Sequence, residues 1–155
     1  MRKIRSLPLL LLCFSFYGCE GQTKIVFSDE LMNQYPSDPA VFQAKYGGDL
    51  TYYRGDAEVK QKMADVDKAF IEGDGFEVVF WKAKDFYIHH IKLTKNHLKV
   101  GNVSLIGKKA DEIQRILGPT SITAAGAMIY RGKEMVLTLG VDNATIVDCY
   151  WGFEI

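Results

Sequence analysis

Alternation of apolar and polar residues dominates the chain from residue 76 onward, and this period of two constrains the fold more than any other feature. Residues 76–82 and 86–93 are rich in aromatic and β-branched side chains, and only Ala83-Lys84-Asp85 separates them. Two such runs joined by a short polar turn predict an antiparallel hairpin. Further strands are predicted at residues 50–53, 97–100, 103–106, 128–130, 135–141 and 145–153.

Two short helices are predicted from their end signals. One begins at Pro39, because Asp38 can cap it and a proline at the first helical position loses no needed N–H. It is predicted to end at Gly47-Gly48. The other covers residues 110–117 and ends at Gly118-Pro119, a sequence that stops a helix sharply. The apolar residues predicted to face the core are Val41, Phe42, Tyr46, Ile113, Ile116 and Leu117.

A third helix is predicted over residues 57–72. Val59, Met63, Val66 and Phe70 follow one another at intervals of four, three and four residues, which places them on one helical face. Strands still outnumber helices, and they do not alternate regularly with helices. The predicted fold class is therefore α+β, an antiparallel sheet with short helices packed on one face.

The length of the chain suits a single domain, which we assign to residues 28–155. Within it, the order helix, glycine, strand and Tyr-Arg-Gly occurs twice, ending at residues 53–55 and 130–132. Two related helix-plus-sheet halves are one explanation of this repeat. Chance identity in a turn is the other.

The first 18 residues predict an export signal. Arg2, Lys3 and Arg5 precede an apolar stretch at residues 7–17, which is about half the length of a membrane-spanning helix. A buried N-terminal strand or helix is the alternative, but it leaves these three cations unexplained. Removing them from the total of 19 leaves 16 basic against 19 acidic residues. This mildly acidic balance, without a long basic run, argues against nucleic acid as a partner.

Residues 16–19, Phe-Tyr-Gly-Cys, resemble the lipobox of bacterial lipoproteins, in which the cysteine becomes the first residue and is diacylated. The resemblance implies a signal peptide at residues 1–18, a lipidated Cys19 and a tether to residue 27, so that acyl chains hold the domain at a membrane. Glu20 is not the aspartate associated with inner-membrane retention, which favours the outer membrane, facing the periplasm. Cleavage after Gly21 is the alternative and would release a soluble periplasmic protein.

Residues 107–121 read Gly-Lys-Lys-Ala-Asp-Glu-Ile-Gln-Arg-Ile-Leu-Gly-Pro-Thr-Ser, and Ile129-Tyr130 and a two-strand hairpin follow. This C-terminal segment, residues 107–155, resembles the SmpA/OmlA family, small outer-membrane lipoproteins of the β-barrel assembly machinery. The same helix-Leu-Gly-Pro unit recurs in folds like the β-lactamase inhibitor protein. The resemblance implies a layered α+β module that binds other proteins and does not catalyse.

Histidine and cysteine are the side chains best suited to chemistry here. His89, His90 and His97 could bind zinc, but neighbours on a strand point to opposite faces, so His89 and His90 are not expected to share an ion. Cys149 stands among apolar residues without a local base and is expected in the core. We therefore predict no catalytic residue, metal ligand, cofactor or small-molecule substrate, and no enzyme activity.

Aromatic side chains on the strands are the candidate partner-binding residues. Tyr52, Trp81 and Trp151 lie on predicted strands, where about half of the side chains face away from the core. Exposed Tyr and Trp commonly anchor protein interfaces, whereas a sheet covered on both faces would place these rings in the core. The sequence therefore predicts a lipid-anchored, non-catalytic envelope protein that binds a protein partner. The alternatives are a periplasmic inhibitor or immunity protein that binds an enzyme or toxin, and an envelope hydrolase or metal-binding protein.

Overall fold

The computed structural model describes residues 24–62 and 64–154, so the predicted signal peptide and Cys19 lie outside the described residues. Within these ranges, eight strands form one antiparallel sheet and the helices are short, which confirms the α+β class in its broad form. The strands are β1 (Asp49–Arg54), β2 (Ala57–Val59), β3 (Lys68–Gly73), β4 (Phe76–Lys82), β5 (Phe86–Leu93), β6 (Ala127–Arg131), β7 (Met135–Asp142) and β8 (Thr145–Phe153).

The order of strands across the sheet is β2-β1-β3-β4-β5-β8-β7-β6. Strands β3, β4 and β5 are joined by tight connections, and Gly75 has a φ of +82° in the two-residue turn that links β3 to β4. After β5 the chain leaves the sheet and returns through β6 and β7, so that β8 pairs with β5 at the centre. The neighbouring strands β5 and β8 therefore come from distant parts of the sequence.

Two α-helices begin and end where their end signals predict. Helix α1 (Pro39–Tyr46) is capped by the Asp38 carboxylate, which accepts hydrogen bonds from the backbone N–H groups of Ala40 and Val41 at 2.9 and 3.2 Å. Helix α2 (Ala110–Leu117) ends at Gly118, whose N–H donates to the Gln114 carbonyl oxygen. A short 3₁₀ helix occupies Asp29–Gln34.

The hydrophobic core lies between these helices and one face of the sheet, which we call the packed face. Phe42 of α1 and Ile113 of α2 are fully buried in a single cluster with the side chains of this face. The strand residues of the packed face include Tyr52, Ala69, Ile71, Val78, Phe80, Ile88, Ile91, Leu93, Leu137, Leu139, Cys149 and Trp151.

The predicted helix over residues 57–72 is wrong. Residues 57–59 form β2, and Lys68–Gly73 form β3, which pairs with β1 on one side and β4 on the other. Ala69 and Ile71 alternate into the core with no exposure. Strand β3 hydrogen-bonds to a neighbour on each side and buries alternate residues, and these tertiary interactions outweigh the weak local preference for a helix.

Two smaller predictions are also wrong. Val41 is 55% exposed, so only part of the predicted apolar face of α1 meets the core. The strands predicted at 97–100 and 103–106 are reduced to one isolated bridge between Val100 and Val103. Both segments are short, and their few apolar residues were not enough to predict which side chains are buried or which residues pair as strands.

Packing begins before the predicted domain start at Ser28. The Ile25 N–H donates to the Ile116 carbonyl oxygen at 2.8 Å, and the side chains of Ile25 and Phe27 pack against the core. The chain is therefore attached to helix α2 from residue 25 onward. No helix among residues 24–62 and 64–154 has both the length and the apolar character needed to cross a bilayer.

Candidate functional site

The second face of the sheet, which we call the open face, carries partly exposed side chains where the packed face carries the core. Cross-strand register places these residues on one surface that extends over β1, β3, β4, β5, β8 and β7. Its residues are Thr51, Tyr53, Lys68, Phe70, Glu77, Val79, Trp81, His89, His90, Lys92, Tyr150 and Thr138.

A β-bulge in β5 brings two consecutive histidines to this face. Val79 of β4 is opposite His90, and the next residue, Phe80, is opposite Ile88, so His89 is the extra residue of the bulge. The side chains on either side, Ile88 and Ile91, both remain in the core. A bulge of this kind places two successive side chains on the same face of the sheet.

The two imidazoles contact each other directly. Nδ1 of His89 lies 3.0 Å from Nδ1 of His90, a hydrogen-bond distance at which one ring donates and the other accepts. Burial lowers the pKa of His89, and burial also lowers the pKa of His90, assisted by the neighbouring His89 and Lys92 and opposed by Glu77. Both rings are therefore neutral at pH 7.

Trp81 covers the first of these rings. Its indole stacks on the His89 imidazole with 4.0 Å between ring centroids and 22° between planes, and 41% of Trp81 stays exposed. Val79, which lies next along β4 on the same face, is 2% exposed and does not belong to the main core cluster. The open face therefore has a small apolar layer of its own, formed beneath aromatic and histidine rings.

Charged and hydroxyl groups border the rings. Glu77 forms an ion pair with Lys92 at 2.9 Å, and its carboxylate lies 3.6 Å from Nε2 of His90, beyond hydrogen-bond range. Nε2 of His90 is buried and has no hydrogen-bond partner among the described residues. The Tyr150 ring lies 5.3 Å from the His90 ring. His90 is thus held between a carboxylate and an aromatic ring, with one nitrogen unpaired.

The three aromatic residues singled out as partner-binding candidates separate into two environments. Trp81 lies on the open face and is exposed. Tyr52 is 8% exposed and Trp151 is 1% exposed, and both belong to the core of the packed face. Tyr52 and Trp151 are therefore core residues and not exposed anchors, because strand alternation points their side chains toward the helices. Burial also raises the pKa of Tyr52.

Other candidates for chemistry have structural roles. Cys149 is buried in the core, as expected, and burial raises the pKa of its thiol well above the usual range. His97 lies apart from the histidine pair, with its Nε2 at 3.7 Å from an Asp74 carboxylate oxygen. Among residues 24–62 and 64–154, no group of three or more His, Cys, Asp or Glu side chains is placed to hold a metal ion.

A cleft of about 360 Å³ lies beside the 3₁₀ helix and includes Asp29, Tyr35, Tyr87, Met135 and Phe153 in its walls. The Asp29 carboxylate in this cleft accepts hydrogen bonds from the backbone N–H groups of Glu134 and Met135, at 2.8 and 3.1 Å. Asp29 therefore ties the 3₁₀ helix to β7, which is a structural role.

The histidine pair is the feature that strand alternation failed to predict. In residues 86–93 the core side chains are Phe86, Ile88, Ile91 and Leu93, so their spacing is two, three and two. The interval of three is the signal of the bulge, since it shifts the alternation by one residue. The argument that His89 and His90 point to opposite faces is therefore wrong for this strand.

Comparison of the chain with protein-family models, with curated proteins and with solved structures gives no match.

Proposed function

We propose that this protein is a lipid-anchored component of a bacterial cell envelope that binds a protein partner through its open face and is not an enzyme. The observation that carries the proposal is the cluster of Trp81, His89, His90 and Tyr150. These rings are partly exposed, contact one another, and lie on a face that no helix of the described residues covers. The anchor follows from the lipobox-like sequence that ends at Cys19.

The open face has the character of a protein-binding surface. Trp81 stacks on His89, so its ring is oriented before a partner arrives. Aromatic side chains that are rigid, central and half-exposed supply much of the binding energy at protein interfaces. The neutral imidazoles add hydrogen-bonding groups at little desolvation cost, and Lys68, Glu77 and Lys92 form a mixed-charge rim.

A lipid anchor at Cys19 would hold the domain close to a bilayer. Lys24 is five positions after Cys19, and packing on helix α2 begins at Ile25. An extended chain spans at most about 3.6 Å per residue, so this tether reaches roughly 18 Å. The partner is therefore expected at or near the same membrane, in keeping with the outer-membrane location that the sequence favours.

Site-specific crosslinking in intact cells tests the binding face. A photoreactive amino acid replaces Lys68, the cross-strand neighbour of Trp81 on the open face. The matched control replaces Val41, which is 55% exposed on α1. We expect one protein to be captured from position 68 and not from position 41, and Trp81→Ala to abolish that capture. Equal capture from both positions would contradict the proposal.

The identity of the captured protein separates two roles. A membrane protein of the envelope supports the assembly or scaffolding role, whereas a soluble enzyme or toxin in a one-to-one complex supports the inhibitor role. The anchor is tested independently with Cys19→Ala, which should lose radiolabelled fatty acid and leave the membrane fraction. The relation between the two helix-plus-sheet halves stays a prediction.

A further inference from the structure

We propose that His89 and His90 form a two-imidazole binding site for a divalent transition-metal ion, with Cu²⁺ as the preferred ion. The inference goes beyond the proposed partner binding and does not depend on it. It rests on the bulge in β5, which places both Nδ1 atoms on the open face only 3.0 Å apart.

The distance between the two nitrogens selects the geometry of the ion. Imidazole nitrogens bind such metals at about 2.0–2.1 Å, so two donors 3.0 Å apart subtend an angle of roughly 91–97° at the metal. A tetrahedral ion would need a separation of about 3.3 Å at the same bond length. An angle near 90° suits the tetragonal coordination of Cu²⁺, which also has the highest affinity among the divalent ions of this series.

The surroundings of His90 suit a metal ligand. Binding through both Nδ1 atoms requires the rings to carry their protons on Nε2. For His90 that proton would point toward the Glu77 carboxylate, whose oxygen lies 3.6 Å away, so a shift of a few tenths of an ångström on metal binding would pair the buried nitrogen. Carboxylates in this position orient metal-bound histidines and strengthen the donor nitrogen. Water would complete the coordination of the ion.

The test is a titration of the full chain, without a histidine tag and with accessible thiols alkylated, with Cu²⁺ alone. Trp81 stacks on His89, so binding should quench tryptophan fluorescence, and Trp81→Phe should remove that signal while calorimetry still detects the ion. We expect His89→Gln and His90→Gln each to weaken binding at least tenfold. Glu77→Gln, which keeps both ligands, should weaken binding about tenfold.

The matched control is His97→Gln, which removes a histidine outside the pair and should leave Cu²⁺ affinity unchanged. Thermal unfolding of each variant verifies that the fold is retained. Electron paramagnetic resonance of the bound ion should show two nitrogen donors. Absence of saturable binding, equal affinity in the His89 and His90 variants and the unmodified protein, or an equal loss in His97→Gln would each overturn the proposal.

Discussion

One face of the sheet meets two helices and a 3₁₀ helix, whereas the other carries half-exposed rings and a histidine pair. On the packed face, the strand side chains are mostly apolar, and Trp151, Ile91 and Leu137 are at most 1% exposed. On the open face, Val79 is buried, but Trp81 and His89 remain accessible. The same strands therefore supply stability on one side and candidate recognition on the other.

The difference between the faces depends on where each strand keeps or breaks its alternation. Regular alternation keeps apolar residues on the packed face, and a bulge adds a residue to the open face without moving the core side chains around it. The bulge in β5 adds His89, and a second one in β8 adds Val147, which is 42% exposed. Both bulges thus enlarge the open face.

Removing the tryptophan of each face in turn should give the largest difference in the free energy of unfolding. Trp151→Ala leaves a cavity in the core and should lower the free energy of unfolding by about 3–5 kcal/mol. Trp81→Ala removes a half-exposed ring and its stacking on His89, so the loss should be about 1 kcal/mol. Urea unfolding followed by circular dichroism measures both. Similar losses in the two variants would show that the open face contributes to the core as much as the packed face does.

Much of the fold could be predicted because local signals and tertiary packing agree. The hairpin of β4 and β5, helix α1 after its Asp38 cap, and helix α2 before Gly118 have the predicted bounds. Residues 57–72 show the opposite case. Their helical spacing is a local pattern, whereas strand β3 forms because β1 and β4 offer hydrogen-bonding edges that only the assembled sheet supplies.

The candidate site was harder to predict than the fold. Period two indicates that half of the strand aromatics face outward but not which half, so Tyr52, Trp81 and Trp151 could not be separated from the sequence. The histidine pair required recognition of the three-residue interval between Ile88 and Ile91. The same interval separates Ile146 from Cys149 at the second bulge, so an interval of three between buried strand residues indicates a β-bulge at both places.

A glycine lies beside each bulge, Gly152 near the bulge in β5 and Gly140 near the bulge in β8, and the two differ in the space available for a side chain. Gly152 is opposite His90, and a Cβ there would collide with the Cβ of His90 and the carbonyl oxygen of His89. A Cβ on Gly140 would meet only the Asp148 carboxylate, which can rotate away. Gly152→Ala should therefore lower the free energy of unfolding by about 1–3 kcal/mol, and Gly140→Ala should change it by about 0.5 kcal/mol or less. Thermal or urea unfolding checks the pair, and equal effects would contradict the bulge argument.

The smallest expected effect concerns the closure of the packed face by α1. Asp38 accepts two backbone N–H bonds at the start of α1 and pairs with Lys62 at 2.7 Å. The Lys62 hydrogen bond is the main cause that lowers the pKa of Asp38 below its ordinary value of 3.8, with the two N–H bonds contributing. Asp38→Ala should lower the free energy of unfolding by about 1 kcal/mol at pH 7, as loss of a helix cap does.

The pH dependence of this effect has a definite sign. Because the pKa of Asp38 is lower in the folded state, the unfolded state binds more protons, so the stabilisation is complete above about pH 4 and is lost as pH falls through the lowered pKa. Asp65→Asn is the matched control, since Asp65 also pairs with a cation at 2.7 Å, Arg54, and also has a lowered pKa, but it caps no helix. Urea unfolding should show that the loss of unfolding free energy in Asp38→Ala is smaller at pH 3 than at pH 7. For Asp65→Asn, the free energy of unfolding at pH 7 should change little. Exposed ion pairs contribute little to stability, so Asp65→Asn should have a small effect. Equal destabilisation by both variants at pH 7 would show that the ion pair, and not the helix cap, is what Asp38 contributes.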